Sequence, residues 1–249
     1  MSMKNRHVLG EAVRHLILII LALYTLAPLL FLFVNAFKSN NEIIASPVAL
    51  PEHWTLQYIK TAMEAINFGK ALGLTFIITF FSILLLVIVS SFAAWAMVRS
   101  KTILSNIVFL CFTAAMLVPF QSLMYPLLSV FEKMGLKNVQ GLILMYGGFG
   151  LSMSVFLYHG FIKSVPASLE EAAVLDGANL FQMFFKVVFP LLKGTTVTVI
   201  VLNGMWIWND YLLPFLVIGN KTGSKTLTME LYFAKLTSGQ YGNPWELIF

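Results

Sequence analysis

The sequence predicts an all-α, polytopic membrane protein, and three observations carry that reading. The 249 residues are 59% hydrophobic and only 11% charged, against about 25% charge in ordinary soluble domains. Four stretches hold no Asp, Glu, Lys or Arg: His15 to Phe37, Ala71 to Val98, Thr102 to Phe131 and Asn138 to Ile162. Each exceeds the roughly 20 residues that cross ~30 Å of hydrocarbon at ~1.5 Å per residue. A fifth run, Gly194 to Asn220, is interrupted only by Asp210. A water-exposed globule of this length cannot hide that much apolar surface. Five complete transmembrane spans are expected, within one membrane domain over 1–249.

The formal net charge of +5 does not point to nucleic acid. The Lys and Arg are scattered between the apolar runs, where they anchor helix ends. The single cysteine, Cys111, lies inside an apolar run. It allows no intrachain disulfide and belongs to no metal or redox spacing.

In chain order, Lys4, Arg6 and Arg14 precede the first run. Such a start resembles a signal peptide, but the run is longer than an h-region and no small-residue cleavage site follows. An uncleaved first span over 16–37 is expected. Lys38 to Lys70, with Pro47, Pro51 and Trp54, reads as a mixed loop. The second span is Ala71–Val98, and the short turn Arg99–Lys101 leads into the third, Thr102–Phe131. Pro119 and Pro126 predict a kink or break there. After Glu132–Lys137 comes the fourth span, Val139–Ile162, in which Gly147, Gly148 and Gly150 permit close helix approach or local unwinding. The fifth span starts at about Gly194. Lys221 to Pro244 is polar, and Trp245 to Phe249 resembles the start of another apolar run. Either a sixth helix follows it, or the tail docks on a partner.

Pro166 to Pro190 is the one long polar interval that reads as a folded unit. Ser168 with Glu171 predicts a capping box opening a short helix. Gly177 falls at its C′ position, with Asp176 bracing the turn. Asn179 with Gln182 predicts a second capping box. At α-helical spacing, Phe181, Phe184, Phe185, Val188 and Phe189 share one face, and Pro190 closes the helix. All three arginines fall on the N-terminal side of the membrane, one in a very short turn, where the positive-inside rule is strongest. The N-terminus and the 166–190 interval are therefore expected on the cytoplasmic side of a multi-pass membrane protein.

In the fifth span, Asn203, Trp206 and Asp210 lie at i, i+3 and i+7 and share a face. A carboxylate in a span costs roughly 2.5–3.5 kcal/mol on insertion scales, so such residues face a cavity or a partner. An aromatic face beside amides and a carboxylate suits a solute that carries both C–H surface and hydroxyls. Asn203, Trp206, Asn209 and Asp210 supply both kinds, and Gln121 beside the Pro119 kink is a further lining candidate. Structural bonding of Asp210 to another helix, or a belt role for the aromatics, is the alternative. Gly219 to Thr226 nearly spells a phosphate-binding loop, but Ser224 replaces the second glycine and a membrane helix precedes it instead of a strand. No nucleotide site is expected in this chain.

Glu171-Ala172-Ala173, then Gly177, then Val187-Val188-Phe189-Pro190, resembles the cytoplasmic loop of permease subunits of binding-protein-dependent ABC importers. That pattern runs Glu-Ala-Ala, three residues, Gly, nine residues, Ile-x-Leu-Pro. The spacing is kept, with Val for Ile and Phe for Leu. The likeness spans about Ala71 to Phe249 and is nearest the carbohydrate-uptake branch that includes the maltose permease. Val165-Pro166, Pro119-Phe120-Gln121 through Pro126, Gly135 to Asn138 and Trp208-Asn209-Asp210 fit that branch.

The resemblance implies a non-catalytic subunit of about six transmembrane helices in a bacterial cell membrane, forming half of a sugar or oligosaccharide pathway. It implies a second, homologous permease partner, two cytoplasmic ATPase subunits that bind ATP and Mg, and an extracytoplasmic sugar-binding protein. It implies no cofactor in this chain. It makes Glu170, Glu171, Ala172, Ala173, Asp176 and Gly177 the ATPase-coupling element. The alternatives are a secondary transporter, an anchoring protein without a pathway, or import of a polyol or glycerol phosphate.

Overall fold

The computed structural model describes residues 3–219 and 225–241. The expected start of a sixth apolar run, Trp245–Phe249, and most of the near-miss phosphate loop lie outside the described residues. Every regular element described is helical. The chain divides into two compact units, one of Met1–Phe68 with Leu231–Phe249 and one of Gly69–Glu230.

In the first unit, α1 (Met3–Asn35) passes straight through Pro28. Its part Gly10–Asn35 is long and apolar enough to cross a membrane. All side chains from Gly10 to Phe33 are exposed, as expected for a helix that meets lipid or another chain. The expected mixed loop is instead partly helical, with α2 (Asn40–Ala45) and α3 (Gln57–Ala65). Ser39 and Glu42 form a full capping box that opens α2. Lys38 is 1% exposed, and its ammonium donates to the carbonyls of Ser46 and Pro47, both at 3.1 Å. Asn35 Nδ2 donates to Pro47 O at 3.0 Å and to Phe31 O at 2.8 Å. The segment therefore closes on itself.

The second unit is built on α4 (Phe68–Ser100) and α7 (Val139–Ile162). Both are long and apolar enough to span. The bounds of α7 are those the sequence predicts. Asn138 caps it, its Oδ1 accepting the Gly141 N–H at 3.0 Å. The glycines serve close approach, since the helix is unbroken. A Cβ on Gly147 would sit 2.5 Å from Leu85, and one on Gly150 would sit 2.6 Å from Asn203 and 2.7 Å from Leu86.

The third span is broken into α5 (Ile103–Ala115) and α6 (Phe120–Lys133), bent by 106°. The break falls just ahead of Pro119, because the residue before a proline is pushed out of the helical region. Pro126 is accommodated inside α6.

The remaining elements are α8 (Ser168–Leu175), α9 (Leu180–Leu191), α10 (Lys193–Asn209), α11 (Leu212–Ile218) and α12 (Leu227–Tyr241). The fifth apolar run is thus not one helix. It ends at Asp210, whose backbone is extended, and resumes in α11. The stretch read as merely polar after Lys221 contains α12.

Two apolar clusters weld the unit. Val87, Ala94 and Trp95 of α4 meet Val155, Tyr158 and Ile162 of α7 and Phe184, Val188, Leu192 and Val199. Toward the other end, Leu86 and Ile78 meet Leu142 and Tyr146 with Ile207, Leu213 and Val217.

Candidate functional site

The interval after α7 folds as two helices, but not with the expected caps. Ser168 does not cap α8. Pro166 favours a helix start immediately after it, so Ala167 is already helical at φ −65°, ψ −24°. The Ala167 carbonyl accepts the N–H groups of Glu170 and Glu171 at 2.9 and 3.0 Å. Ser168 therefore sits inside the first turn, and Glu171 is left without a reciprocal bond. Asp176 does not brace the following turn with its side chain either. The turn is closed by backbone alone: Gly177 N–H donates to Val174 O at 3.0 Å and Ala178 N–H to Ala173 O at 2.9 Å. That is a Schellman closure, and Gly177 at φ +79° supplies the left-handed residue it needs.

The second capping box is present. Gln182 N–H donates to Asn179 Oδ1 at 2.9 Å, and Asn179 N–H to Gln182 Oε1 at 3.0 Å. Beyond it the expected five-residue apolar face is not kept, because Met183–Val188 is π-helical. Widening to i→i+5 bonding takes residues three apart off a shared face. Phe184, Val188 and Leu192 are fully buried, whereas Phe181 and Phe185 are 65% and 48% exposed. Nor does Pro190 close the helix, which runs on to Leu191 and turns by 76° into α10.

The two glutamates of α8 part company. Glu170 is 8% exposed and turned into its own chain. Its Oε1 accepts Arg99 Nε at 2.8 Å and its Oε2 accepts Trp95 Nε1 at 3.0 Å. Arg99 Nη2 also lies 2.8 Å from Oε1 and donates to Val165 O at 2.9 Å. Ala173 is likewise buried. Glu171, Ala172, Asp176 and Gly177 are exposed, and neither carboxylate among them makes a hydrogen bond or ion pair with any described residue. Sequence reasoning missed Trp95 and Arg99. The available signal was their i, i+4 spacing at the end of a charge-free run, which puts an indole N–H and a guanidinium on one face.

On α10, Asn203, Trp206 and Asp210 do share a face, and that face meets α7. Asn203, 5% exposed, donates from Nδ2 to Ser154 Oγ at 3.1 Å and Val199 O at 2.9 Å. The Trp206 ring stands edge-on to Tyr146 with centroids 5.4 Å apart. Tyr146 OH donates to Asp210 Oδ2 at 2.8 Å, and Asp210 Oδ1 accepts the Leu212 N–H at 3.0 Å. Asp210 thus caps α11 and ties the helix break to α7. Tyr146 and Ser154 escaped sequence reasoning, since nothing in the fourth span marks them as partners. Asn209 points elsewhere, exposed, with Nδ2 on Met205 O at 2.7 Å. Gln121 is exposed on α6 and is not brought onto this face by any described hydrogen bond.

Residues 86–241 match the family described as binding-protein-dependent transport system inner membrane component. The chain is 44% identical over 229 residues to the probable starch degradation products transport system permease protein of Thermoanaerobacterium thermosulfurigenes, covering 92% of this chain and 82% of that one. It is 32% identical over 246 residues to the multiple sugar-binding transport system permease protein of Streptococcus mutans, covering 98% and 87%. It is 33% identical over 211 residues to the melibiose/raffinose/stachyose import permease of Bacillus subtilis, covering 84% and 76%. In fold it is similar to a chain of a bacterial ABC transporter involved in import of the acidic polysaccharide alginate, with a TM-score of 0.82 at 22% identity over 100% of this chain and 90% of that one. With the helical fold, the broken spans and the two-helix interval in place, the chain belongs to the inner-membrane permease components of binding-protein-dependent transport systems.

Proposed function

We propose that this chain forms half of the pathway of an ATP-driven importer for an oligosaccharide, delivered by an extracytoplasmic binding protein. Residues 1–249 act as one permease domain beside a second, homologous permease chain. The N-terminus and the 166–190 interval face the cytoplasm, where two ATPase subunits bind ATP and Mg. The relatives' names support the sugar class, and the 44% likeness to the starch-products permease favours α-linked glucose oligomers.

The observation that carries the coupling role is the sorting of α8. Its inner side is bonded into the chain, and its outer side presents Glu171, Ala172, Asp176 and Gly177 with two unpaired carboxylates. A small residue flanked by free acids fits a groove with basic walls. On this reading Glu170 and Ala173 hold the element while the other four touch the ATPase. The secondary-transporter alternative is weaker, because its one candidate coupling carboxylate, Asp210, serves a Tyr146 bond and a helix cap. Of the lining candidates, Trp206, Asn209, Asp210 and Gln121 keep some exposure, while Asn203 is held behind them.

The test reconstitutes the complex with its binding protein and ATPases and offers maltotriose, melibiose, raffinose and glycerol phosphate. Maltotriose is expected to be imported and to stimulate hydrolysis. Glu171→Lys is expected to cut uptake by at least roughly tenfold, since it sets a like charge against the basic groove, while the chain still inserts. Wild-type uptake by that variant would refute docking through α8. Glycerol phosphate as the stimulating solute would overturn the sugar class. Unchanged uptake and selectivity in Asn203→Ala and Asp210→Ala would move the lining elsewhere.

A further inference from the structure

We infer that Arg99 and Trp95 are positioning residues for the coupling step: through Glu170 they make α8 move with α4. The inference rests on the docking role proposed for α8. Three donor atoms of α4, Trp95 Nε1, Arg99 Nε and Arg99 Nη2, converge on the one Glu170 carboxylate at 3.0, 2.8 and 2.8 Å. Arg99 Nη2 also holds the Val165 carbonyl at 2.9 Å. The guanidinium thus grips the chain on both sides of Pro166, at the root of α8. The adjacent outward residue, Glu171, is the one proposed to meet the ATPase.

The covalent routes from α8 into the membrane are the turn back to α7 and the π-helical α9, which bends by 76° at Leu192 before α10 begins. Both segments pack against α4 through apolar side chains, Tyr158 and Ile162 from α7 and Phe184 from α9, whereas the Glu170 cluster bonds α8 itself to α4. From Arg99 back to Thr75 is about 36 Å along the helix at ~1.5 Å per residue. There Thr75 Oγ1 accepts the Leu227 N–H at 2.9 Å. A displacement of α8 is therefore delivered to a rigid helix whose other end is bonded to the start of α12.

Stability alone does not account for such a device. A largely buried ion pair is a poor source of stability compared with apolar packing, whereas a forked guanidinium on a carboxylate fixes orientation. The Glu170 side chain is 10% exposed and that of Arg99 21%, so solvent does little to loosen the pair. Trp95 is packed beneath it against Phe184, with ring centroids 5.3 Å apart. The same indole therefore binds the α8 acid and the base of α9.

The experiment measures solute imported per ATP hydrolysed in reconstituted full complexes, using whichever of maltotriose, melibiose or raffinose the wild-type complex carries. Arg99→Gln removes the charge and most of the fork. Import per ATP is expected to fall about tenfold, because the remaining amide cannot fix the carboxylate. Trp95→Phe keeps the ring packing and loses one hydrogen bond, and a fall of about threefold is expected. A purely structural role would lower the amount of complex and scale import and hydrolysis together, leaving the ratio unchanged. An unchanged ratio in Arg99→Gln overturns the inference. If Arg99→Gln yields no complex, Trp95→Phe decides in the same way, a wild-type ratio overturning it and a lowered ratio supporting it. Wild-type uptake in Glu171→Lys would instead remove the docking reading underneath.

Discussion

Ser39-Asn40-Asn41-Glu42 and Ser168-Leu169-Glu170-Glu171 carry the same Ser-x-x-Glu pattern, and the chain uses them in opposite ways. At the first, Ser39 is extended at φ −70°, ψ 160°, so its hydroxyl and backbone N–H are free to pair with the Glu42 carboxylate at 2.9 and 2.8 Å. Glu42 also accepts the Glu52 N–H at 3.0 Å. Its acidity is used up locally, and the segment becomes a closed knot with Lys38 inside. At the second, Pro166 starts the helix early, Ser168 is already helical, and Glu171 is left free. Lys38, Ser39 and Glu42 are satisfied within the 38–58 segment, whereas the polar residues of α8 are divided between an internal anchor and an outward face. A missing cap is here what keeps a carboxylate available to another chain.

The sharpest way to break this contrast is at Gly177. Its φ of +79° is a conformation that costs a β-carbon-bearing residue roughly 1–2 kcal/mol. Gly177→Val should distort the Schellman closure, turn the outward face of α8 and cut ATPase docking, while the 38–58 knot is untouched. Pull-down of the ATPase on membranes carrying the variant checks it, and undiminished docking would show that the turn does not set the pose of α8.

A smaller effect is expected at the knot. Ser39→Ala removes a satisfied N-cap worth typically about 1 kcal/mol. Amide exchange across α2 should quicken roughly fivefold with no change in import per ATP. Acid should imitate it. The Ser39 backbone N–H, then that of Glu52 and the Ser39 hydroxyl, hold the Glu42 carboxyl below its ordinary value. A carboxyl lowered on folding stabilises the fold at pH above its unfolded value, and that contribution is lost as pH falls through the folded one. Exchange in α2, corrected for the intrinsic rate, should therefore be flat at neutral pH and quicken only below the ordinary glutamate range. Glu42→Gln should abolish that acid limb. An α2 that opens equally at neutral pH in Ser39→Ala and wild type would mean the box is not what holds the knot.

How much of this was legible depended on whether a signal was local. The α7 bounds could be read because a charge-free run begins at a capping asparagine, both contained in the residues themselves. So could the break before Pro119, the Gly177 closure and the Asn179–Gln182 box. The helix break at Asp210 was not legible, since a lone aspartate in an apolar run reads equally as a pathway group or a cap. Only the Tyr146 hydroxyl, 64 residues away, decides that. The π-helical turn of α9 was hidden for a similar reason: α-helical spacing puts five apolar residues on one face, but Phe184 is buried against Trp95 and Phe92, while Phe181, stacked on the edge of that packing at Phe92, and Phe185 stay largely exposed. The different roles of Glu170 and Glu171 are hidden because a linear motif gives neighbours one role, while a helix separates adjacent side chains by about 100°.

The least effect is expected at Ser168, and it is the most direct check on the contrast. Ser168→Ala removes a hydroxyl that makes no hydrogen bond with any described residue, in a first turn already formed by the Ala167 carbonyl. Alanine is the better helix former by a few tenths of a kcal/mol. Stability and import per ATP should therefore be unchanged or marginally higher, measured by thermal unfolding in detergent and by reconstituted uptake. If Ser168→Ala instead loosens α8 as much as Ser39→Ala loosens α2, then Ser168 caps in the membrane. Glu171 would then be bound back to it, and the free carboxylate that the proposed docking needs would have to be Asp176 alone.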